Sequence, residues 1–314
     1  MNVIDLFCGC GGMSKGLTDA GMNIIAGIDI WETAVKSYNQ NFEHRAYCHD
    51  LTNLPPNEFD KLYNKENVID LITSSPPCQS FSMAGKRDKN DPRNSLFMEF
   101  VKYINYFNPK FIMMENVMGL LSKKTELGDS VIDIIMEHFE NYNCFINKLY
   151  ASDFEVPQNR RRVIIIGIRK DLGIFPKQIQ PVSLKQPVKN VLLQQDQIDE
   201  SYYLSERAIQ GIINKKAKAK QNNNGFGAQF LNLEKPSFTI PARYWKDGYD
   251  ALVKYSDTSI RRLTILELKR IQSFPDDYII EGSKKDIIIQ IGNAVACRFA
   301  YFLGKYINSI NNIL

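Results

Sequence analysis

From Asn2 to about Lys170 the chain alternates short apolar runs with amphipathic ones, and this alternation restricts the fold more than any other feature. Asn2–Phe7, Asn23–Ile28, Asp70–Thr73 and Phe111–Met114 read as strands, and Met13–Ala20, Glu32–Gln40, Ser95–Phe107 and Val131–Tyr142 as helices. Phe145–Ala151 and Arg162–Ile168 read as a closing pair of strands. In the 95–107 segment Leu96, Phe97, Phe100, Val101 and Ile104 fall on one helical face, and Pro109 stops it. Strands separated by helices predict an α/β fold with a mostly parallel sheet covered on both faces. In such sheets ligands bind outside the carboxyl ends of the strands. Phe7 to Gly12, Asp29, Pro77-Cys78 and Glu115 all follow strand ends.

Beyond Lys170 the character changes. Residues 171–260 carry Pro176, Pro181, Pro187, Pro236 and Pro241 and a basic stretch with Lys215, Lys216, Lys218 and Lys220, with weak periodicity. This predicts a second, smaller and irregular domain. Helical patterning returns at Thr264–Gln272 and Ile287–Ile307. A length of 314 residues suits one large domain or two unequal ones. The net charge of +4 fits a nucleic-acid partner and excludes little. The six cysteines, Cys8, Cys10, Cys48, Cys78, Cys144 and Cys297, show no CxxC pairing and no Cys/His zinc spacing. No metal is therefore expected, and the thiols read as reduced, in a cytoplasmic protein. Met1–Asp5 lacks the start of a signal peptide. No stretch of about 18 apolar residues is expected to cross a membrane.

Several segments carry chemistry. Asp5-Leu6-Phe7-Cys8-Gly9-Cys10-Gly11-Gly12 leaves a strand and opens a helix, so backbone amides are free and a ligand can approach closely. Asp29, at the end of the next strand, suits ribose hydroxyls, or a helix cap. Asp50 suits an adenine amino group, or is a solvated loop acid. Ser75-Pro76-Pro77-Cys78 presents a thiol from a proline-stiffened backbone, as a nucleophile requires, although a buried structural cysteine fits equally. The polar run from Gly85 to Asp91 after it reads as a basic loop. Glu115 closes a very apolar strand, and partial desolvation there suits it to donating a proton near neutral pH. In Gln158-Asn159-Arg160-Arg161-Arg162, alternation sends Arg160 and Arg162 to one face and Arg161 to the other.

Taken in order, DLFCGCGG at 5–12, Asp29, Pro-Pro-Cys-Gln at 76–79, DPRNSLF at 91–97 and Glu-Asn-Val at 115–117 resemble the DNA cytosine-5 methyltransferase family. Gln-x-Arg-x-Arg at 158–162, RRLTILELKRIQSFP at 261–275 and Gln-Ile-Gly-Asn-Ala-Val at 290–295 extend the resemblance over nearly the whole chain. It implies a Rossmann-like S-adenosylmethionine-dependent methyltransferase fold with a target-recognition domain at 173–284. The catalytic domain would then be 1–172, completed by 285–314. The implied catalytic residues are Cys78, which adds to carbon-6 of a cytosine, Glu115, which protonates ring N3, Arg162, which contacts the base carbonyl, and Arg160 beside it. The implied cofactor residues are Phe7, Gly9, Cys10, Gly11, Gly12, Asp29, Ile30, Asp50, Leu51, Pro77, Leu96, Asn293 and Val295. Ile30 stands where some relatives carry a stacking Trp.

The chemistry suits these residue types. Thiolate addition and N3 protonation turn the ring into an enamine able to accept the methyl group. Loss of the carbon-5 proton and expulsion of Cys78 then complete the cycle. The base must first leave the duplex. The loop from Ser80 to about Asp91, with Ser82, Lys86 and Arg87, is expected to close over DNA. The basic, aromatic stretch Phe238–Gly248 resembles a bacterial recognition loop, with Arg243, Tyr244 and Lys246 as DNA contacts, or else is plain scaffold. Double-stranded DNA is the expected partner, the chain a monomer, and a companion restriction endonuclease fits the bacterial members. The product is S-adenosylhomocysteine. Three other readings are a tRNA cytosine methyltransferase, a nicotinamide oxidoreductase and a non-catalytic DNA-binding relative. The first lacks an expected Cys-Phe-Thr segment, the second leaves Pro-Pro-Cys unexplained, and the third would lose Cys78 or Glu115.

Overall fold

Helices return the chain between successive strands, so the first five strands run parallel. A computed structural model describes residues 1–64, 67–77, 95–125, 128–182, 185–221 and 228–314. Its first half runs β1 (Asn2–Leu6), α1 (Gly12–Asp19), β2 (Asn23–Asp29), α2 (Glu32–Asn39), β3 (Ala46–Cys48) and the one-turn α3 (Pro56–Phe59). There follow β4 (Leu71–Ser74), α4 (Ser95–Phe107), β5 (Phe111–Val117), α5 (Val131–His138), β6 (Tyr142–Tyr150) and β7 (Arg161–Arg169). The seven-stranded order is β3-β2-β1-β4-β5-β7-β6. β7 lies antiparallel between β5 and β6. The chain builds outward from β1 in one direction, then returns to start again at β4. That reversal opens a crevice between the loops following β1 and β4.

Both faces of the sheet are buried. Ile4, Leu6, Ile72, Ile112 and Val163 pack under Phe97, Phe100 and Ile104 of α4 and Val131 and Ile135 of α5. Val3, Leu71, Phe111, Met113 and Ile164 pack under Met13 and Leu17 of α1 and a C-terminal helix. The near-continuous apolar strands are what two covered faces demand.

The second half carries α6 (Glu206–Gln221), a hairpin of β8 (Leu252–Lys254) and β9 (Ile260–Arg262), and α7 (Ile265–Ile271). The expected single helix at 287–307 is two, α8 (Lys284–Asn293) and α9 (Cys297–Asn311). Gln272 explains the break: its Nε2 donates to the carbonyls of Ile291 at 2.8 Å and Ala294 at 3.1 Å, holding the chain out of helical geometry there. The Lys284–Asn311 segment is long and apolar enough, by length and composition alone, to match a span. In the fold its apolar side chains pack inward. Ile288 and Ile291 join a cluster with Ile240, Val253, Leu268 and Ile271, while Phe299, Leu303 and Ile307 lie on the sheet.

That smaller cluster is organised by a buried ion pair. Arg261 and Glu267 are both fully buried, with two N–H···O contacts of 2.8 Å. Glu267 also accepts from the amides of Leu193 and Thr264, completing a capping box for α7. Glu267→Ala strands a buried guanidinium and should cost about 3–5 kcal/mol in urea unfolding; a loss under about 1 kcal/mol contradicts this reading.

Asp5 of β1 is fully buried and accepts from Ser14 Oγ at 2.6 Å, which in turn accepts from Tyr38 OH at 2.7 Å. Burial pushes its carboxyl up to about 7. The folded state therefore holds this proton more tightly than the unfolded chain, whose carboxyl titrates near 3.9. The stabilisation is full below about pH 4 and is lost as pH rises through about 7. Asp5→Asn should remove this slope, at most about 1.4 kcal/mol per pH unit, when unfolding is followed from pH 5 to 7. Parallel profiles for the two proteins would refute the assignment.

Candidate active site

The two loops at the switch point line a cavity of about 970 Å³. Its walls include Phe7, Gly9, Cys10, Asp29, Ile30, Asp50, Leu51, Pro77, Leu96, Glu115, Arg160, Arg162, Asn293 and Val295. Thus most of the residues picked from sequence converge on one space, although they are up to about 290 positions apart in the chain.

The floor comes from the β1 loop. Phe7 sits at φ 60, a backbone region costly for an aromatic residue and typical of functional sites. Gly9, at φ 54, presents its Cα to open space, where an added Cβ would meet nothing within 4 Å. Asp29 ties this loop to α2, accepting from Gly9 N at 2.9 Å through one oxygen and from Trp31 N at 2.8 Å through the other. Each oxygen keeps a further lone pair. Burial pushes the Asp29 carboxyl upward, against the opposing pull of the Trp31 and Gly9 amides. Asp50 lies at the far side, its Oδ1 accepting from Thr52 N at 2.9 Å. Ile30 is 67% exposed at the rim.

Gly11 and Gly12 depart from the expectation. They pack behind the wall rather than line the cavity. A Cβ on Gly12 would lie 2.2 Å from the Val295 carbonyl, and one on Gly11 would strike Phe42 and Tyr278. Their small size lets α1 meet the α8–α9 break.

The deeper end is polar. Glu115 and Arg162 face each other across β5 and β7, with Nε 2.8 Å from Oε1. Glu115 is therefore not surrounded by apolar groups alone. Asn116 donates to the Pro76 carbonyl at 3.0 Å, fixing the Ser75–Pro77 segment beside Glu115. Arg160 spends its two terminal nitrogens on the carbonyls of Gly292 (3.0 Å) and Asn293 (3.5 Å). Burial, reinforced by Arg162, pushes the Arg160 guanidinium down to about 9, still charged at neutral pH. Arg161 points to the opposite side of β7, onto Tyr150, as strand alternation requires.

Cys78, Ser82, Lys86 and Arg87 lie outside the described residues. Among the described residues two cysteines line the cavity, Cys8 and Cys10, and burial pushes their thiols up, Cys10 to about 12. Neither supplies a thiolate near neutral pH.

In the recognition stretch Tyr244 needs correcting. It is buried, donates to the Ala251 carbonyl at 2.9 Å and accepts from Leu263 N at 2.9 Å, so it holds the small core together rather than facing DNA. Arg243 is exposed and pairs with Asp250 at 2.7 Å. Lys246 is exposed near Trp245. Trp31, His49, Thr239 and Gln290 also line the cavity and were not anticipated. Thr239 arrives by donating to the Asn159 carbonyl at 3.0 Å, a long-range contact that leaves no local sequence signal.

The family model for C-5 cytosine-specific DNA methylase matches residues 1–309. The type II methyltransferase M.FnuDI of Fusobacterium nucleatum is 32% identical over 343 aligned positions, covering 98% of this chain and 94% of that protein. M.DdeI of Desulfomicrobium norvegicum is 44% identical over 187 residues, which span 58% of this chain and 44% of that protein. The solved structure of the S. pombe Dnmt2 methyltransferase superposes with a TM-score of 0.76 over 99% of both chains at 22% identity, a likeness of fold. With a family match along nearly its whole length, the chain belongs to the C-5 cytosine-specific DNA methylases and is a DNA cytosine-5 methyltransferase.

Proposed function

We propose that the chain methylates carbon-5 of a cytosine within a short, specific duplex DNA sequence, using S-adenosylmethionine, a base flipped from the helix and a transient Cys78 adduct. The observation carrying this reading is the Glu115–Arg162 pair held beside the Ser75–Pro77 segment in the same cavity as Asp29 and Asp50.

The residues present fit the cofactor. Gly9 leaves room for close approach to the backbone, Asp29 retains lone pairs for ribose hydroxyls, Asp50 suits the adenine amino group, and Phe7, Ile30, Leu51, Pro77 and Leu96 supply apolar walls. Asn293 and Val295 close the remaining edge. When bound, the cofactor supplies an electrophilic methyl group. Cys78 adds its thiolate to carbon-6 of the extruded cytosine while Glu115 holds and protonates N3. Arg162 orients Glu115 and reaches the base carbonyl. Arg160 positions the Gly292–Asn293 backbone that borders the cofactor. After transfer, carbon-5 gives up its proton and the Cys78–carbon bond breaks.

We further assign residues 1–172 with 285–314 to catalysis and 173–284 to target recognition. Ser82, Lys86, Arg87, Arg243 and Lys246 are DNA contacts in this reading. A monomeric cytoplasmic enzyme belongs to the same reading, and the relatives named as type II methyltransferases support pairing with a restriction endonuclease. Labelled S-adenosylmethionine offered with duplex DNA or with tRNA tests the substrate, and bisulfite mapping then finds the site. We expect label in duplex DNA alone. Cys78→Ala should abolish transfer while retaining DNA binding, and Glu115→Gln should lower the rate by roughly 10²–10⁴-fold. Undiminished methylation by the Cys78 variant would falsify the mechanism.

A further inference from the structure

β6 forms one edge of the sheet, and its last residue, Tyr150, pairs in register with Arg161 at the start of β7. The Arg161 guanidinium lies over the Tyr150 ring, 5.2 Å from its centroid. The Lys185 ammonium lies 5.3 Å from the same centroid. Tyr150 is 36% exposed, and Arg161 and Lys185 are exposed. Lys148, exposed and two residues back along β6, points from the same strand face. Opposing these three cations is Asp153, 3.4 Å from Lys185. Among the described residues no carboxylate pairs with Arg161.

The cluster sits at the reacting end of the sheet. Arg162, the next residue, turns into the cavity toward Glu115, and its Nη1 donates to the Arg161 carbonyl at 2.7 Å. The two Cα atoms are about 3.8 Å apart and the side chains leave opposite faces of β7, so the basic surface lies at the same strand end as the cavity, on the other face of the sheet. The aromatic ring fixes two long side chains, removing part of the entropy that ordering them at an interface would cost. A planar guanidinium held this way is suited to phosphate oxygens.

We infer that Tyr150, Arg161 and Lys185 form a docking surface for the phosphate backbone of the duplex beside the flipped base. This rests on duplex DNA being the substrate. It predicts an electrostatic contribution without sequence preference, since phosphate contacts position a duplex and base contacts read it.

The test titrates the full chain with a mixed-sequence duplex at rising salt, followed by anisotropy, with tRNA as comparator. Each lost phosphate contact lowers the salt slope by about 0.9. The Arg161→Ala, Lys185→Ala double variant should therefore show a slope shallower by about 2 and an affinity at low salt reduced roughly tenfold or more. Its affinity for S-adenosylmethionine should be unchanged, and Arg161→Lys should restore much of the slope. A control variant, Lys110→Ala with Lys170→Ala, removes the same charge at the opposite end of the sheet and should leave the slope intact. An unaltered slope in the double variant, an equal fall in the control, or a loss confined to tRNA would overturn the inference. If the unaltered chain fails to bind duplex DNA at all, the functional reading fails with it.

Discussion

Gln158 and Arg160 transmit the geometry of the sheet to everything built around it. Gln158 is fully buried where β7 begins, donates to Gln272 Oε1 at 2.9 Å and accepts from Ile240 N at 3.0 Å. Gln272 in turn holds the carbonyls that end α8. Arg160 holds two more carbonyls of the same turn. A handful of buried polar groups thus fixes the sheet, the 240 loop and the α8–α9 break relative to one another. Such networks are costly when incomplete and rigid when satisfied, so a cavity lined by all three elements keeps its shape.

That rigidity is what the chemistry requires. Glu115 and Arg162 belong to neighbouring strands, and Asn116 anchors the Pro76 carbonyl, so the acid and the stiffened segment before Cys78 share one frame. Cofactor-side groups come from the loops after β1, β2 and β3 and from the end of α8. Positioning by fixed strands rather than by induced movement keeps reacting groups near their productive distances.

Much of this was legible in the sequence where local patterning and tertiary structure agree. α4 runs over the residues its apolar face marks, and Phe7 and Asp29 fall at strand ends because a tight turn and an acid interrupt the apolar runs there, whereas Glu115 lies inside β5, which pairing with β7 carries on to Val117. Legibility failed where distant partners decide. α5 stops at His138, and Tyr142 joins β6, because nine residues of β6 pair with β7 and draw the chain into the sheet. The α8–α9 break carries no proline, and the side chain that captures its carbonyls is some twenty positions away. Gly11 and Gly12 looked like ligand-cradling glycines, yet close approach to Val295, Phe42 and Tyr278 is what excludes larger side chains there. Tyr244 carried an aromatic signal equally suited to a nucleic-acid contact or a small core, and burial made it the latter.

The central claim is that a thiol next to Pro77 bonds briefly to a pyrimidine carbon that Glu115 has made electron-poor. Duplex DNA carrying 5-fluorocytosine at the mapped site, incubated with the chain and S-adenosylmethionine, tests it most directly, because fluorine blocks release at carbon-5. The account predicts a denaturant-resistant protein–DNA adduct whose crosslinked peptide contains Cys78. Complete absence of an adduct, or a crosslink at another residue, would contradict it.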